Sequence, residues 1–392
     1  MNQSKLGYKI ITIFIISIFS MMNSVQSKGI MIDAKERQEV VDKITEKYNQ
    51  NYIFPEVAKK STAYIQKQLK LGAYDQIDNA EDFANKLSDD LMSISHDKHM
   101  YISAKGAGGR RMVRKTNDAK KQDGKVLRKV GSPTRVRIGG PNQSKNQNPL
   151  MERVTRDRSE LENNNGFGKI DILEGNVGYM EINTFRPAGA KTKRTAAAAL
   201  EYLSNTDALI IDLRKNRGGL ADNINFIASY FYKEKTELVG MATRGEQKQR
   251  AWTSDKVPGK SLANIPLYIL TSNITFSAAE AITFEFKTRK RATIIGENTR
   301  GGANPGRPFK INENFSAFVS YGRSFHPLSD INWEGIGIKP DISVPASEAL
   351  NKAHELAKVE AIKTRDIDIE NKLTIYQSFE DGLLHTCLLY TS

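Results

Sequence analysis

A serine at position 277 stands between two apolar patterns in LYILTSNITFSAAEAITFEF, residues 267–286. Leu267 to Leu270 read as a strand, and Phe276, Ala279, Ile282, Thr283 and Phe286 recur at the three- and four-residue spacing of a helix face. Ser277 therefore falls in a first helical turn, where unpaired N–H groups and the positive end of the macrodipole stabilise an oxyanion. Ser277-Ala278-Ala279-Glu280 is equally a capping box, with serine as cap and glutamate closing the pair. These four residues alone do not choose between nucleophile and cap.

Acyl transfer by serine also needs a base, an acid that orients the base, and donors facing the developing charge. The histidines are His96, His99, His326, His354 and His385. His354 belongs to a carboxyl-terminal helix pattern, His326 in SFHP reads as an exposed loop residue, and His385 lies in the tail. His96-Asp97-Lys98-His99 is the richest site, at a helix end entering an extended run. A zinc reading of its two histidines lacks a third ligand, and a helix-end position near the negative dipole pole explains either of them. Asp212-Leu213-Arg214-Lys215-Asn216-Arg217-Gly218-Gly219 closes an apolar strand with a glycine pair, which suits close backbone approach to a ligand or an ordinary tight turn. Trp333-Glu334-Gly335-Ile336-Gly337 sets a carboxylate beside two glycines.

The elements that must position these groups fall into two kinds. Residues 34–49, 55–71 and 79–94 carry amphipathic helical patterns with short connections, as in a small bundle. Residues 178–182, 207–213, 267–270 and 292–296 read as strands and alternate with helical patterns at 192–203, 224–232 and from 277, which predicts a βαβ-type sheet. The run 309–321 reads as hairpin strands added to that sheet.

Taken together, these blocks resemble the S41 serine peptidases, specifically their tricorn-core and interphotoreceptor retinoid-binding protein-like branch. The resemblance covers roughly residues 34–103 and 165–350 and is carried by DLRKNRGG at 212–219, YILTSNITFSAAEAITF at 268–284, RATIIGENTRGGANPG at 291–306 and NWEGIGIKPD at 332–341. It implies Ser277 as nucleophile, His99 as base, Glu334 as orienting acid, and Gly218, Gly219 and the Ala278 amide as oxyanion donors. It further implies an α/β, crotonase-like core with a helical amino-terminal subdomain, a peptide or unfolded-protein substrate, and no metal or organic cofactor. Non-catalytic carriers of retinoids or fatty acids on the same fold are the alternative. One departure bears on mechanism: Gly302 occupies the place where carboxyl-terminal processing relatives carry a catalytic lysine, so a Ser–Lys dyad is disfavoured. Lys287 and Lys290 belong to the Ser277 helix and do not match that lysine.

The chain has 392 residues, 39% hydrophobic and 26% charged, and so suffices for a soluble protein of more than one domain. Lys5 and Lys9 precede an apolar run to Met22 and a small-residue stretch ending at Ser27, so residues 1–27 read as a cleavable export signal and the protein as periplasmic or extracellular. Cys387 is the only cysteine, so no intrachain disulfide forms. Between Lys105 and Arg158 there are 16 basic and four acidic side chains, which places nearly all of the formal net charge of +13 in one stretch. Its low apolar content fits a solvated insertion, and weak contact with a polyanion or a membrane surface is the sharper alternative; no nucleic-acid motif accompanies it. The expected organisation is a signal at 1–27, a helical subdomain at 28–103, the basic insertion at 104–164, the peptidase core at 165–364 and a tail at 365–392. The tail ends in CLLYTS, which looks like translated adapter sequence, and its last residues follow no obvious element.

Overall fold

The computed structural model describes residues 29–105, 163–245, 248–329 and 331–389. The export segment, nearly all of the basic insertion and the final three residues lie outside the described residues. Three helices come first: α1 (Ala34–Asn51), α2 (Pro55–Lys70) and α3 (Ala80–Ser95). Asp33 caps α1 by accepting the Glu36 N–H (2.7 Å), and Asn79 caps α3 by accepting the Glu81 N–H (2.8 Å). Their apolar faces enclose Val40, Ile44, Tyr48, Ile65, Phe83, Leu87 and Leu91, as the amphipathic spacing predicts.

This helical unit is completed from far along the chain. Strand β1 (Tyr101–Ala104) pairs antiparallel with β10 (Phe315–Ser320), and β10 with β9 (Gly306–Lys310). The 309–321 hairpin expected to extend the main sheet therefore belongs to a separate three-stranded sheet. Alternation explains the difference: Phe315, Ala317 and Val319 share one strand face, and that face is buried against the helices, with Phe83 and Phe315 in edge contact at 6.0 Å.

The main sheet has the order β12-β8-β7-β4-β3-β2. Strands β3 (Val177–Ile182), β4 (Ala208–Asp212), β7 (Leu267–Thr271), β8 (Thr293–Gly296) and β12 (Ile342–Ser343) run parallel, and β2 (Phe167–Leu173) is an antiparallel edge. Strands β4 and β7 are buried at every residue because helices cover both faces of the sheet. One face packs on α4 (Ala190–Tyr202), α5 (Ala221–Ala228) and α6 (Ala278–Thr288). The other meets Ala349, Ala353, Ala357 and Ala361 of α7 (Ala349–Leu389), a four-residue stripe whose small side chains let the helix lie close. The expectation that residues after His385 follow no element is overturned, since α7 continues to Leu389. A third sheet, in the order β11-β5-β6, joins β11 (Gly322–Phe325) to β5 (Glu237–Thr243) and β6 (Gln249–Trp252).

Candidate active site

Ser277 sits on an elbow between β7 and α6 with φ 56° and ψ −120°, a conformation a non-glycine residue holds only when its surroundings enforce it. Those surroundings are polar and well paired. The Ser272 N–H donates to Thr275 Oγ1 (2.9 Å), the Thr275 hydroxyl donates to the Leu213 carbonyl (2.9 Å), and the Phe276 N–H donates to the Asn216 carbonyl (3.1 Å). The elbow is thus fastened to the 212–219 segment at the end of β4. Glu280, fully buried, accepts the Ser277 N–H at 2.8 Å, as the capping box predicts. The Glu280 N–H goes to the Ser277 carbonyl (2.8 Å), and the serine side chain makes no cap hydrogen bond. The same carboxylate accepts the Thr299 hydroxyl (2.6 Å) and the N–H groups of Gly301 (2.5 Å) and Gly302 (2.8 Å). Burial pushes it up to about 7 against these four donors.

Gly218 lies directly against the serine, and Gly219 against the Phe185 backbone. Their φ values are 103° and 141°, and a Cβ on Gly218 would stand 2.7 Å from Ser277 Cβ and 3.1 Å from the Ala278 nitrogen. The Gly218 N–H, expected as an oxyanion donor, is donated to Asn216 Oδ1 at 2.7 Å and is not available for that role. The reason is local: Asn216, itself anchored by donating to the Ile182 carbonyl (3.0 Å), folds its side chain back over the turn. The N–H groups of Gly219 and Ala278 remain.

Helix α3 ends at His96 in the left-handed conformation (φ 55°), which turns the chain so that Asp97 and His99 enter the interior while the His96 side chain stays exposed. Asp97 Oδ1 accepts the His99 N–H (2.9 Å), and Oδ2 accepts the Tyr52 hydroxyl (3.2 Å) and the Asn304 side-chain amide (3.1 Å). The imidazole lies 4.4 Å, centroid to centroid, from the Phe276 ring. Neither ring nitrogen has a hydrogen-bond partner among the described residues. Burial, and secondarily the Arg300 charge, pulls His99 down to about 4, so the imidazole is neutral at neutral pH. Glu334 accepts the N–H groups of Lys98 (3.2 Å), Ala303 and Asn304 (3.0 Å). Burial, then the neighbouring Asp97 charge, raises Glu334 to about 7, and burial raises Asp97 as well. Donor atoms of Asp97, His99 and Glu334 all lie within 4.8 Å of one another.

The fold therefore joins His99 to Glu334 and brings Ser277 beside them through Phe276, the residue preceding the serine, whose ring packs on the imidazole. No Ser277–His99 hydrogen bond is made in this resting geometry. Gly302 explains the missing lysine physically. A Cβ there would stand 2.2 Å from the Phe276 ring and 2.6 Å from His99 Cε1, so no side chain fits without displacing His99 or Phe276. His326, expected in an exposed loop, is instead buried, with Nε2 3.1 Å from Glu285 Oε2 and Nδ1 accepting the Leu328 N–H (3.0 Å). A buried imidazole requires partners for its polar atoms, and Glu285 on α6 and the Leu328 N–H supply them. Lys287 of α6 pairs with Asp341 rather than with the serine.

Asp97, Asn216 and Glu280 were not singled out from sequence as site residues. A carboxylate two residues before a histidine and an asparagine two before a glycine carry a local signal, since such side chains fold back onto nearby N–H groups.

Residues 176–344 match the model of peptidase family S41, and residues 26–132 match the N-terminal domain of peptidase S41 in eukaryotic IRBP. A carboxyl-terminal-processing protease of Picosynechococcus sp. is 29% identical over 219 residues, covering 55% of this chain and 50% of that protein. The chloroplastic carboxyl-terminal-processing peptidase 1 of Arabidopsis thaliana is 29% identical over 182 residues, covering 45% of this chain and 36% of its own. The chain thus spans half or less of the length of these relatives. A putative peptidase from Parabacteroides merdae shares the fold with TM-score 0.51 at 15% identity, over 83% of this chain and 97% of that one. The tricorn protease does so with TM-score 0.50 at 14% identity, over 85% and 37% respectively. With both models matched in order and the α/β core in place, the chain carries a peptidase family S41 domain at residues 176–344.

Proposed function

We infer that the protein is an exported serine peptidase that cleaves peptide bonds through Ser277, His99 and Glu334. The observation that carries this reading is that a strained serine elbow with the open Ala278 N–H, a glycine turn with the open Gly219 N–H, and a buried neutral imidazole beside a carboxylate are brought together. In the reaction, Ser277 Oγ attacks the scissile carbonyl carbon and passes its proton to His99. Glu334 stabilises the imidazolium, and the Gly219 and Ala278 N–H groups hold the tetrahedral oxyanion. Collapse breaks the C–N bond, with His99 returning the proton to the leaving amine, and water then hydrolyses the acyl-enzyme by the same base. The Ser277–His99 hydrogen bond, absent at rest, forms as substrate displaces the Phe276 ring from the imidazole. The substrate class is peptide or unfolded protein, and the features of residues 1–27 support its being met outside the cytoplasm. The hydrophobic-carrier alternative gains no comparable support. A cleft of about 690 Å³, where Ile170, Ala198, Ala199 and Tyr202 lie beside Lys191 and Arg194, shares no lining residue with the serine site.

A fluorophosphonate probe on the purified chain tests the reading. Labelling that disappears in Ser277→Ala is expected; labelling that persists in the pure variant overturns it.

A further inference from the structure

Acyl transfer as described needs one carboxylate beside His99, and the structure provides two. Asp97 and Glu334 both place a donor atom within 4.8 Å of a His99 ring nitrogen and of each other. His99 is only 8% exposed, and both of its nitrogens lack a partner among the described residues. A buried imidazole with two unused nitrogens facing two carboxylates is an incomplete polar cluster, and such clusters are normally completed by water, a proton or an ion.

We propose that Asp97, His99 and Glu334 form an inhibitory site for a divalent transition-metal ion of the zinc class. One imidazole nitrogen and two carboxylate oxygens are a three-ligand set of borderline softness, which suits Zn²⁺ and leaves an open coordination position. In a tetrahedral site with bonds of about 2.0–2.2 Å the donor atoms stand roughly 3.3 Å apart, so a cluster already within 4.8 Å closes with small side-chain rotations. The surroundings resemble the outer shell that orients metal-ligating carboxylates. Tyr52 and Asn304 donate to Asp97, and the Lys98, Ala303 and Asn304 N–H groups donate to Glu334. Two carboxylate charges balance the ion, against the opposing cations of Lys98 and Arg300 close by. Mg²⁺ and Ca²⁺, which take oxygen donors, match this set poorly.

The ion and the reaction exclude each other, because the metal occupies the His99 lone pair that must receive the Ser277 proton. Inhibition therefore rests on the serine-peptidase reading, whereas metal binding does not. Metal-stripped full-length protein is titrated with Co²⁺, whose visible absorption reports a low-coordinate site. Saturable absorption displaced by Zn²⁺ but not by Mg²⁺ is expected, unchanged in Ser277→Ala and at least about tenfold weaker in affinity in His99→Gln and Asp97→Asn. Glu334→Gln serves as a third variant, and circular dichroism verifies that each is folded. In parallel, Zn²⁺ at site-saturating concentration blocks fluorophosphonate labelling of Ser277, and a chelator restores it. A missing Co²⁺ signal, or equal affinity in folded His99→Gln, overturns the site. Labelling indifferent to saturating Zn²⁺ overturns the inhibitory role. Failure of metal-free protein to label at all overturns the peptidase reading while leaving a demonstrated metal site in place.

Discussion

The two halves of the proposed site, that of the nucleophile and that of the base, are built on opposite terms. On the nucleophile side, the elbow from Ser272 to Glu280 is bonded to the 212–219 turn and to residues 299–302, so the strained Ser277 backbone is held by a paired network. On the base side, His99 has a fixed backbone but an unpartnered ring, and the two carboxylates beside it are both raised by burial. Nucleophile geometry is thus set in advance, whereas the base awaits a substrate, a proton or an ion. The difference also follows chain layout. The nucleophile side comes from the ends of β4 and β7, neighbours in one sheet, while the base side is assembled from the end of α3 and the 303–304 and 332–334 loops.

The sharpest way to break this contrast is to remove the nucleophile from its preset half. Ser277→Ala should lower kcat roughly 10⁴- to 10⁶-fold while the thermal midpoint hardly moves, since the serine side chain makes no cap hydrogen bond. A large fall in the midpoint would return Ser277 to the role of structural cap. Next in size, Gly302→Lys should not install a Ser–Lys dyad. Its Cβ collides with Phe276 and His99, and activity should drop at least about 10²-fold in a peptide-hydrolysis assay. Retained activity in that variant would show the base side to be more yielding than its packing implies.

Glu280 tests whether the preset half depends on its buried carboxylate. Glu280→Gln should cost about 1–3 kcal/mol of stability at low pH and reduce kcat about tenfold, because the amide accepts fewer of the four donors. Linkage adds a pH signature. Glu280 holds its proton to about 7 when folded and to about 4.5 when unfolded, so between those values the folded state binds more protons. Stability contributed through this group falls as pH rises across the window and levels above about 7, by roughly 3 kcal/mol. Chemical denaturation of wild type and Glu280→Gln at pH 5 and pH 8 should show the wild-type advantage shrinking at the higher pH; a constant difference would remove the raised value. The smallest effect is expected from Lys98, whose ammonium donates to the Arg300 and Gly335 carbonyls and ties the Glu334 loop down. Lys98→Met should reduce kcat a few-fold and stability by about 1 kcal/mol, with Lys98→Arg recovering part of each.

Local patterns made much of this legible. The helical spacing of residues 34–49, 55–71 and 79–94, the apolar strands at 207–213 and 267–270, and the strand-to-helix break before Ser277 all express short-range periodicity, and the structure follows them to within a few residues at their ends. The glycine turn and the absence of a side chain at 302 were visible as residue types. What those features would touch was not visible. Nothing in DLRKNRGG states that Asn216 captures the Gly218 N–H, and nothing in SFHP states that His326 is buried against Glu285. The placement of the 306–320 hairpin on the helical unit was also hidden, because strand alternation defines an apolar face without naming the surface that covers it. The sequence by itself determined which residue types stand at which turns, since backbone conformation responds to near neighbours. Only the tertiary structure decided that Asp97, His99 and Glu334 meet and that Gly302 lies flush on the imidazole, because those contacts join residues some 200 positions apart and depend on burial that no local window contains.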